Sequence, residues 1–205
     1  SIIGMGHVGL PLACVLSKAG FSVTGIDNNK NVIDSINDRS NPILNDEPGI
    51  LDLFVAGVAS EKLKITTSTE SISTSDVVTI NVDTPIQENK LPEQRNLISA
   101  VTSVGQKLDK DTLVIIESTV APKTTKEIVI PKLEEVSRKT EGLDFFVGFS
   151  PERIMPTLTL KNLYKMPRVC GASKLEISQL MKDFYKIFCE GEIDLTDLTT
   201  AETVK

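Results

Sequence analysis

Along this chain, short apolar runs alternate with longer stretches of helical period, and few architectures satisfy that alternation. Val77-Val78-Thr79-Ile80 and Leu113-Val114-Ile115-Ile116 are unbroken runs of strand formers. Such runs suit strands covered on both faces. The strands read from the sequence are Ser1–Ile3, Ser22–Ile26, Leu63–Thr66, Asp76–Val82, Thr112–Ser118, Phe145–Ser150, Arg168–Gly171 and Ile193–Leu195. Helical patterns fill the gaps. Gly9–Ala19 sets Leu12, Ala13 and Leu16 on one side, Asn29–Asp38 carries Val32, Ile33 and Ile36, and Gly49–Ser60 carries Leu51, Phe54 and Val58. Gln94–Lys107 carries Leu97, Val101 and Val104. Thr124–Lys139 carries Val129, Leu133 and Val136, with a kink expected at Pro131. Ser173–Phe188 carries the clearest stripe, Ile177, Leu180, Met181, Phe184 and Phe188, and opens on Ser173 and Glu176 at capping-box spacing. Strand–helix alternation of this kind predicts an α/β fold: a doubly wound, mostly parallel sheet with helices on both faces.

A chain of 205 residues reads as one large domain, or a domain plus a fragment. It can bury about 70% of its unfolded surface without staples. The 40% hydrophobic and 24% charged residues argue against disordered, collagenous and coiled-coil classes. No run approaches the roughly 20 apolar residues of a membrane helix, so no membrane partner is expected. Lys and Arg number 22 against 28 Asp and Glu, a net charge of −6, which argues against a nucleic-acid partner. Cys14, Cys170 and Cys189 are odd in number and far apart, so they read as reduced thiols of a cytoplasmic protein. His7 is the only histidine, and no metal site is expected. The chain opens on Ser1-Ile2-Ile3 and stops inside a helical-looking run, Thr199 to Lys205, and reads as a piece of a longer protein.

The first chemical motif is Gly4-Met5-Gly6-His7-Val8-Gly9, a G-x-G-x-x-G between an apolar strand and an apolar helix. In that context Gly4 makes the tight turn, Gly6 lets a pyrophosphate approach the backbone, and Gly9 lets helix and strand pack closely. The helix N-terminus favours the phosphate charge. These residues sharpen the fold expectation to a Rossmann type. Asp27 ends the next strand, 18 residues beyond Gly9, near the spacing of about 20 seen in dinucleotide sites. A carboxylate there accepts the ribose hydroxyls of NAD and repels the extra phosphate of NADP. Lys30 weakens that preference, and the blander reading is an Asp that merely starts the Asn28-Asn29 turn. Three polar clusters follow other strands: Val82-Asp83-Thr84-Pro85, Glu117-Ser118-Thr119-Val120 and Ser150-Pro151-Glu152-Arg153. Each alone fits ordinary turn chemistry. Together they would converge on the edge where doubly wound sheets bind ligands.

G-M-G-H-V-G-L-P, Asp27, V-D-T-P, E-S-T-V-A-P-K-T-T, S-P-E-R and a final A-E-T-V-K occur in this order. The set resembles the UDP-glucose/GDP-mannose dehydrogenase family over the whole chain. The Arg153 that follows Glu152 is more similar to the branch acting on UDP-N-acetylmannosamine than to the UDP-glucose branch. A UDP-N-acetylglucosamine branch is also open. The resemblance implies NAD as cofactor, a UDP-sugar as partner, and a four-electron oxidation of the sugar C6 alcohol to a carboxylate. It implies a cysteine nucleophile in a second half, which none of Cys14, Cys170 and Cys189 matches. By motif, Thr119, Glu152 and Lys205 would be catalytic. Glu152 would handle water or protons in thioester hydrolysis and Lys205 would stabilise oxyanionic states. Glu152, Arg153, Ile154 and Lys205 would meet the substrate. Gly4, Gly6, Val8, Gly9, Asp27, Val82, Thr84, Ser118 and Thr119 would hold NAD. His7, in the same loop, is counted with the cofactor-binding residues; it stands where the family often has Tyr, and a bystander role is favoured for its side chain. Further departures are Lys123 and Thr157 in place of glycines, and Val32 where a basic residue is common. Residues 1–195 would form the NAD-binding domain. Residues 196–205 would begin a helix leading to a missing half and often to a homodimer interface. A β-hydroxyacid dehydrogenase fits the E-S-T-V and S-P-E-R loops poorly. A stand-alone NAD-binding domain without catalysis remains the non-enzymatic alternative.

Overall fold

The structure, a computed structural model, describes residues 1–155 and 158–205. Thr157, noted above as a departure, lies with Pro156 outside the described residues. Eight strands form one sheet: β1 Ile2–Ile3, β2 Val23–Ile26, β3 Leu63–Thr66, β4 Val77–Ile80, β5 Leu113–Ile116, β6 Phe146–Phe149, β7 Arg168–Ala172 and β8 Ile193–Thr196. Their order is β3-β2-β1-β4-β5-β6-β7-β8. Every pairing is parallel except β6 with β7, which is antiparallel.

The apolar runs are explained by burial on both faces. In β5 all four residues are buried. Leu113 and Ile115 join one hydrophobic cluster and Val114 and Ile116 the other, because successive side chains of a strand point to opposite faces. The first cluster is covered by α1 Gly9–Lys18, α2 Lys30–Asn37, α3 Ile50–Ala59, α6 Thr159–Lys165 and α7 Leu175–Lys186. The second is covered by α4 Arg95–Lys107, α5 Ile130–Ser137 and α8 Leu198–Thr203.

Several local expectations are corrected. α1 is buried on all sides from Gly9 to Ser17, not along one stripe, because α3 and α6 pack over it. Val58 and Leu180 are exposed by 43% and 49%, while their neighbours Phe54, Met181 and Phe184 face the core. Ser173 and Glu176 do not form a capping box: α7 starts at Leu175 behind an uncapped Lys174, which places Glu176 one position too early to reach back. α6 has no counterpart in the sequence reading. The disturbance at Pro131 is a π-helical turn over Thr125–Val129 leading directly into α5. That turn accommodates the missing proline N–H without breaking the axis.

Candidate active site

β1 is flanked by β2 on one side and β4 on the other. The crossovers leave in opposite directions there, and a crevice opens beyond the strand ends. That crevice is a cleft of about 520 Å3 lined by the Gly4–His7 loop, Asp27 to Asn29, Asn81 to Asp83, and Asn96 and Ser99 of α4. The three glycines do three different jobs. Gly4 has φ +95°, and a Cβ there would stand 2.5 Å from the Asn81 carbonyl oxygen. A Cβ on Gly9 would overlap the Gly4 carbonyl. A Cβ on Gly6 would meet no protein atom within 4 Å, so its backbone is bare toward the cleft.

Asp27 holds this loop in place. Its carboxylate accepts the Met5 N–H at 2.9 Å and the Asn29 N–H at 2.9 Å. It therefore starts the Asn28-Asn29 turn and lines the cleft as well. Lys30 is paired with Asp34 at 2.6 Å and stays out of the cleft lining. His7 lies at the mouth with its Nε2 3.5 Å from Asp46 and its side chain 76% exposed. Val82 lines the cleft, whereas Val8 and Gly9 open α1 behind the loop. Thr84 and Ser118 turn their hydroxyls to backbone: Thr84 Oγ1 donates to the Thr119 carbonyl at 2.5 Å and Ser118 Oγ to the Val82 carbonyl at 2.7 Å. They fasten the loop after β4 to the loop after β5, leaving Thr119 exposed at the edge.

Farther along the edge, the reversal at β6/β7 has a chemical result. It brings the start of β7 to the edge where β5 and β6 end. Arg168 opens β7 there, with only 3% of its surface exposed. Its Nη2 donates to Glu152 Oε2 at 2.5 Å, and its Nη1 lies 3.8 Å from Glu117 Oε1. The guanidinium stacks on Tyr185 at 4.6 Å and on Phe188 at 5.7 Å. Tyr185 donates its hydroxyl to Glu117 Oε1 at 2.6 Å. Glu152 Oε1 accepts the Arg153 N–H at 2.8 Å. The Arg153 guanidinium donates to the Pro167 carbonyl at 2.6 Å, and Ile154 packs against the core. Lys205 Nζ donates to the Glu152 carbonyl, and partial burial lowers the Lys205 pKa from its ordinary value.

The sequence places Glu117 only as the head of a polar cluster at the binding edge, and gives Arg168 and Tyr185 no role. Their signal is a charged residue set at the end of an apolar strand that is covered on both faces. Burial, opposed by Arg168, pushes the Glu117 pKa up to about 7. Burial works against the Arg168 charge, but Glu152, Tyr185 and Glu117 together raise its pKa. Cys14 and Cys170 are buried thiols pushed up to about 12 by that burial, which makes them inert packing groups.

Glu117 links stability to pH. Its folded pKa of about 7 exceeds the ordinary 4.5, a difference worth roughly 3 kcal/mol. The wild-type domain should hold this contribution fully below about pH 4.5 and lose it as pH rises through about 7. Urea midpoints from pH 4.5 to 8 should show Glu117→Gln gaining on wild type over that window. A constant difference between the two proteins across the range would contradict the assignment.

Glu202 of α8 accepts the Lys123 and Thr125 N–H groups at 2.5 and 2.7 Å. Lys123 sits at φ +75°, a left-handed conformation natural to glycine and costly for lysine. The carboxylate at the start of the following helical turn compensates that strain and fixes α8, with Lys205 two residues beyond its end, beside the loop that carries Thr119.

Residues 1–189 match the family described as UDP-glucose/GDP-mannose dehydrogenase family, NAD binding domain. The chain belongs to this family. UDP-N-acetyl-D-mannosamine dehydrogenase of Pyrococcus horikoshii is 36% identical over 205 residues, covering 100% of this chain and 48% of that protein. UDP-N-acetyl-D-glucosamine 6-dehydrogenase of Pseudomonas aeruginosa is 34% identical, covering 100% of this chain and 47% of its own length. The GDP-mannose dehydrogenase structure from Pseudomonas aeruginosa superposes with TM-score 0.92 at 30% identity, over 100% of this chain and 47% of that one. The chain thus spans about half the length of the relatives it matches. Like other NAD-binding domains of the UDP-glucose/GDP-mannose dehydrogenase family, it takes NAD as cofactor. The residues present fit that group: Gly6 leaves its backbone bare toward the cleft, with open space beside it, and Asp27 supplies a carboxylate on the same cleft. No helix among the described residues is long and apolar enough to cross a membrane.

Proposed function

We propose that this chain is the cofactor-binding half of an enzyme that oxidises the C6 alcohol of a UDP-N-acetylhexosamine to the uronic acid, with UDP-N-acetylmannosamine favoured. The observation that carries the reading is one sheet edge bearing both the Gly4–His7 and Asp27 cleft and the Glu152–Lys205 contact. Residues 1–195 serve as the NAD-binding domain and residues 196–205 lead toward the second half, in a cytoplasmic homodimer. Gly4, Gly6, His7, Val8, Gly9, Asp27 and Val82 surround the dinucleotide. Thr84 and Ser118 hold the two loops that present Thr119. Bound NAD supplies the hydride acceptor, once for each of two oxidations.

Thr119, Glu152 and Lys205 act on the sugar side. Lys205 places a cation against developing oxyanions, where a partly desolvated charge is worth more than in water. Glu152 orients water or holds a proton when the thioester formed on a cysteine of the second half is hydrolysed. Arg153 and Ile154 shape the substrate side of the loop. A second reading, a UDP-N-acetylglucosamine 6-dehydrogenase, is favoured by the 34% identity to the Pseudomonas aeruginosa enzyme of that name.

The test is NADH formed per sugar by the full-length protein with UDP-N-acetylmannosamine, UDP-N-acetylglucosamine and UDP-glucose. Two NADH per sugar, with UDP-N-acetylmannosamine turned over fastest, is the expected result. Faster turnover of UDP-N-acetylglucosamine selects the second reading. One NADH per sugar points to a simpler dehydrogenase, and none with any sugar overturns the proposal.

A further inference from the structure

Two buried carboxylates here face one buried guanidinium. Glu117, Glu152 and Arg168 are all at most 5% exposed, and the Tyr185 and Phe188 rings cage the arginine. Arg168 bonds Glu152 directly at 2.5 Å and lies 3.8 Å from Glu117. Glu117 Oε2 and the Nε and Nη1 of Arg168 have no hydrogen-bond partner among the described residues. A fully satisfied ion pair would leave no such remainder. Buried polar clusters with unpaired atoms cost stability and gain nothing as packing.

Resting on the reading that Glu152 works at the reacting carbon, we propose that Glu117 is a positioning residue for Glu152. It acts through Arg168, by competing with Glu152 for a single guanidinium. Neutral Glu117 leaves Arg168 wholly to Glu152, which is then held and neutralised. Ionised Glu117 draws on the same cation and releases negative charge on Glu152 toward the substrate. The groups facing Glu117 are Arg168 and Cys170 of β7, Tyr185 of α7, Glu152 in the loop after β6, and the uncharged Asn81 after β4. Cys189 adjoins the same cluster. Burial places the Glu117 titration near pH 7, so the competition turns over in the neutral range.

The experiment is the pH dependence of kcat in the full-length protein. In wild type, kcat should rise by up to about tenfold between pH 6 and 8, the span one titration near 7 allows. Glu117→Gln keeps the shape but not the charge. It should stay at the low-pH rate without that rise, while KM for NAD stays within about twofold. Tyr185→Phe removes the hydroxyl that favours ionised Glu117 and should move the rise to higher pH. The Tyr185 variant keeps the test open should Glu117→Gln fold poorly. An unchanged profile in Glu117→Gln, or an unmoved rise in Tyr185→Phe, overturns the proposal. Glu152→Gln separates the two levels. If it abolishes turnover while NAD still binds, a negative Glu117 result overturns only the positioning role. If it stays active, the catalytic reading of Glu152 falls and the proposal falls with it.

Discussion

Replacing Arg168 by methionine should cost the domain about 3–5 kcal/mol of folding stability, the range for removing one side of a buried ionic cluster. Methionine fills much of the volume and keeps contact with the Tyr185 and Phe188 rings that cage the guanidinium. What it cannot supply is charge. Glu152 and Glu117, 5% and 3% exposed, would both lose the guanidinium they face. The loss should be largest at pH 8, where Glu117 is ionised, and smaller at pH 5, where it is already neutral. Urea unfolding at the two pH values measures both parts. Adding Glu117→Gln and Glu152→Gln to the methionine variant should restore most of the stability, because the cost lies in uncompensated charge and not in lost packing. Equal stability of Arg168→Met and wild type at pH 8 would show that both carboxylates find solvent.

A second large effect separates two glycines of one motif. Gly9→Ala should destabilise the domain by about 3 kcal/mol, near the top of the usual overpacking range. The new methyl overlaps the Gly4 carbonyl, and backbone cannot swing aside as a side chain can. Gly6→Ala should leave the urea midpoint nearly unchanged, because no protein atom lies within 4 Å of the added Cβ. It should nevertheless weaken NAD binding at least about tenfold, since the methyl stands where the pyrophosphate meets the backbone. Calorimetric titration with NAD and urea unfolding on the same two variants read the two effects apart. Intact NAD affinity in Gly6→Ala would detach the motif from the cofactor.

The contrast explains what was legible. Strand–helix alternation and the glycine spacing are local properties, carried by every apolar run and by residues 4 to 9, so the sheet and the cofactor cleft could be read directly. The antiparallel β6/β7 pairing could not. Phe146–Phe149 and Arg168–Ala172 are both short runs with no mark of direction, and the connection between them runs through α6, which packs on α1. Arg168 read as the polar start of a strand because its partners, Glu117 and Glu152, come from other strands' ends. Val58 and Leu180 satisfied the helical period and still face solvent, since period fixes which residues share a side and not how wide the contact is. Lys123 was visible as a departure from glycine. The Glu202 carboxylate that tolerates it lies 79 positions away.

The sheet order has one more consequence. Within the sheet, β2 and β3 reach β4 to β8 only through β1, with Ile2 and Ile3 pairing to Gly25 and Ile26 on one flank and to Thr79 and Ile80 on the other. The cleft lies astride that join, with Asp27 on one bank and Asn81 to Asp83 on the other. A dinucleotide in it works as a splint across the two parts of the molecule. Its binding energy is then drawn directly into resistance to opening, in proportion to the logarithm of its concentration. Amide exchange in β1, β2 and β4 is where that reinforcement registers, since separating the banks is the partial unfolding that a bridging ligand forbids.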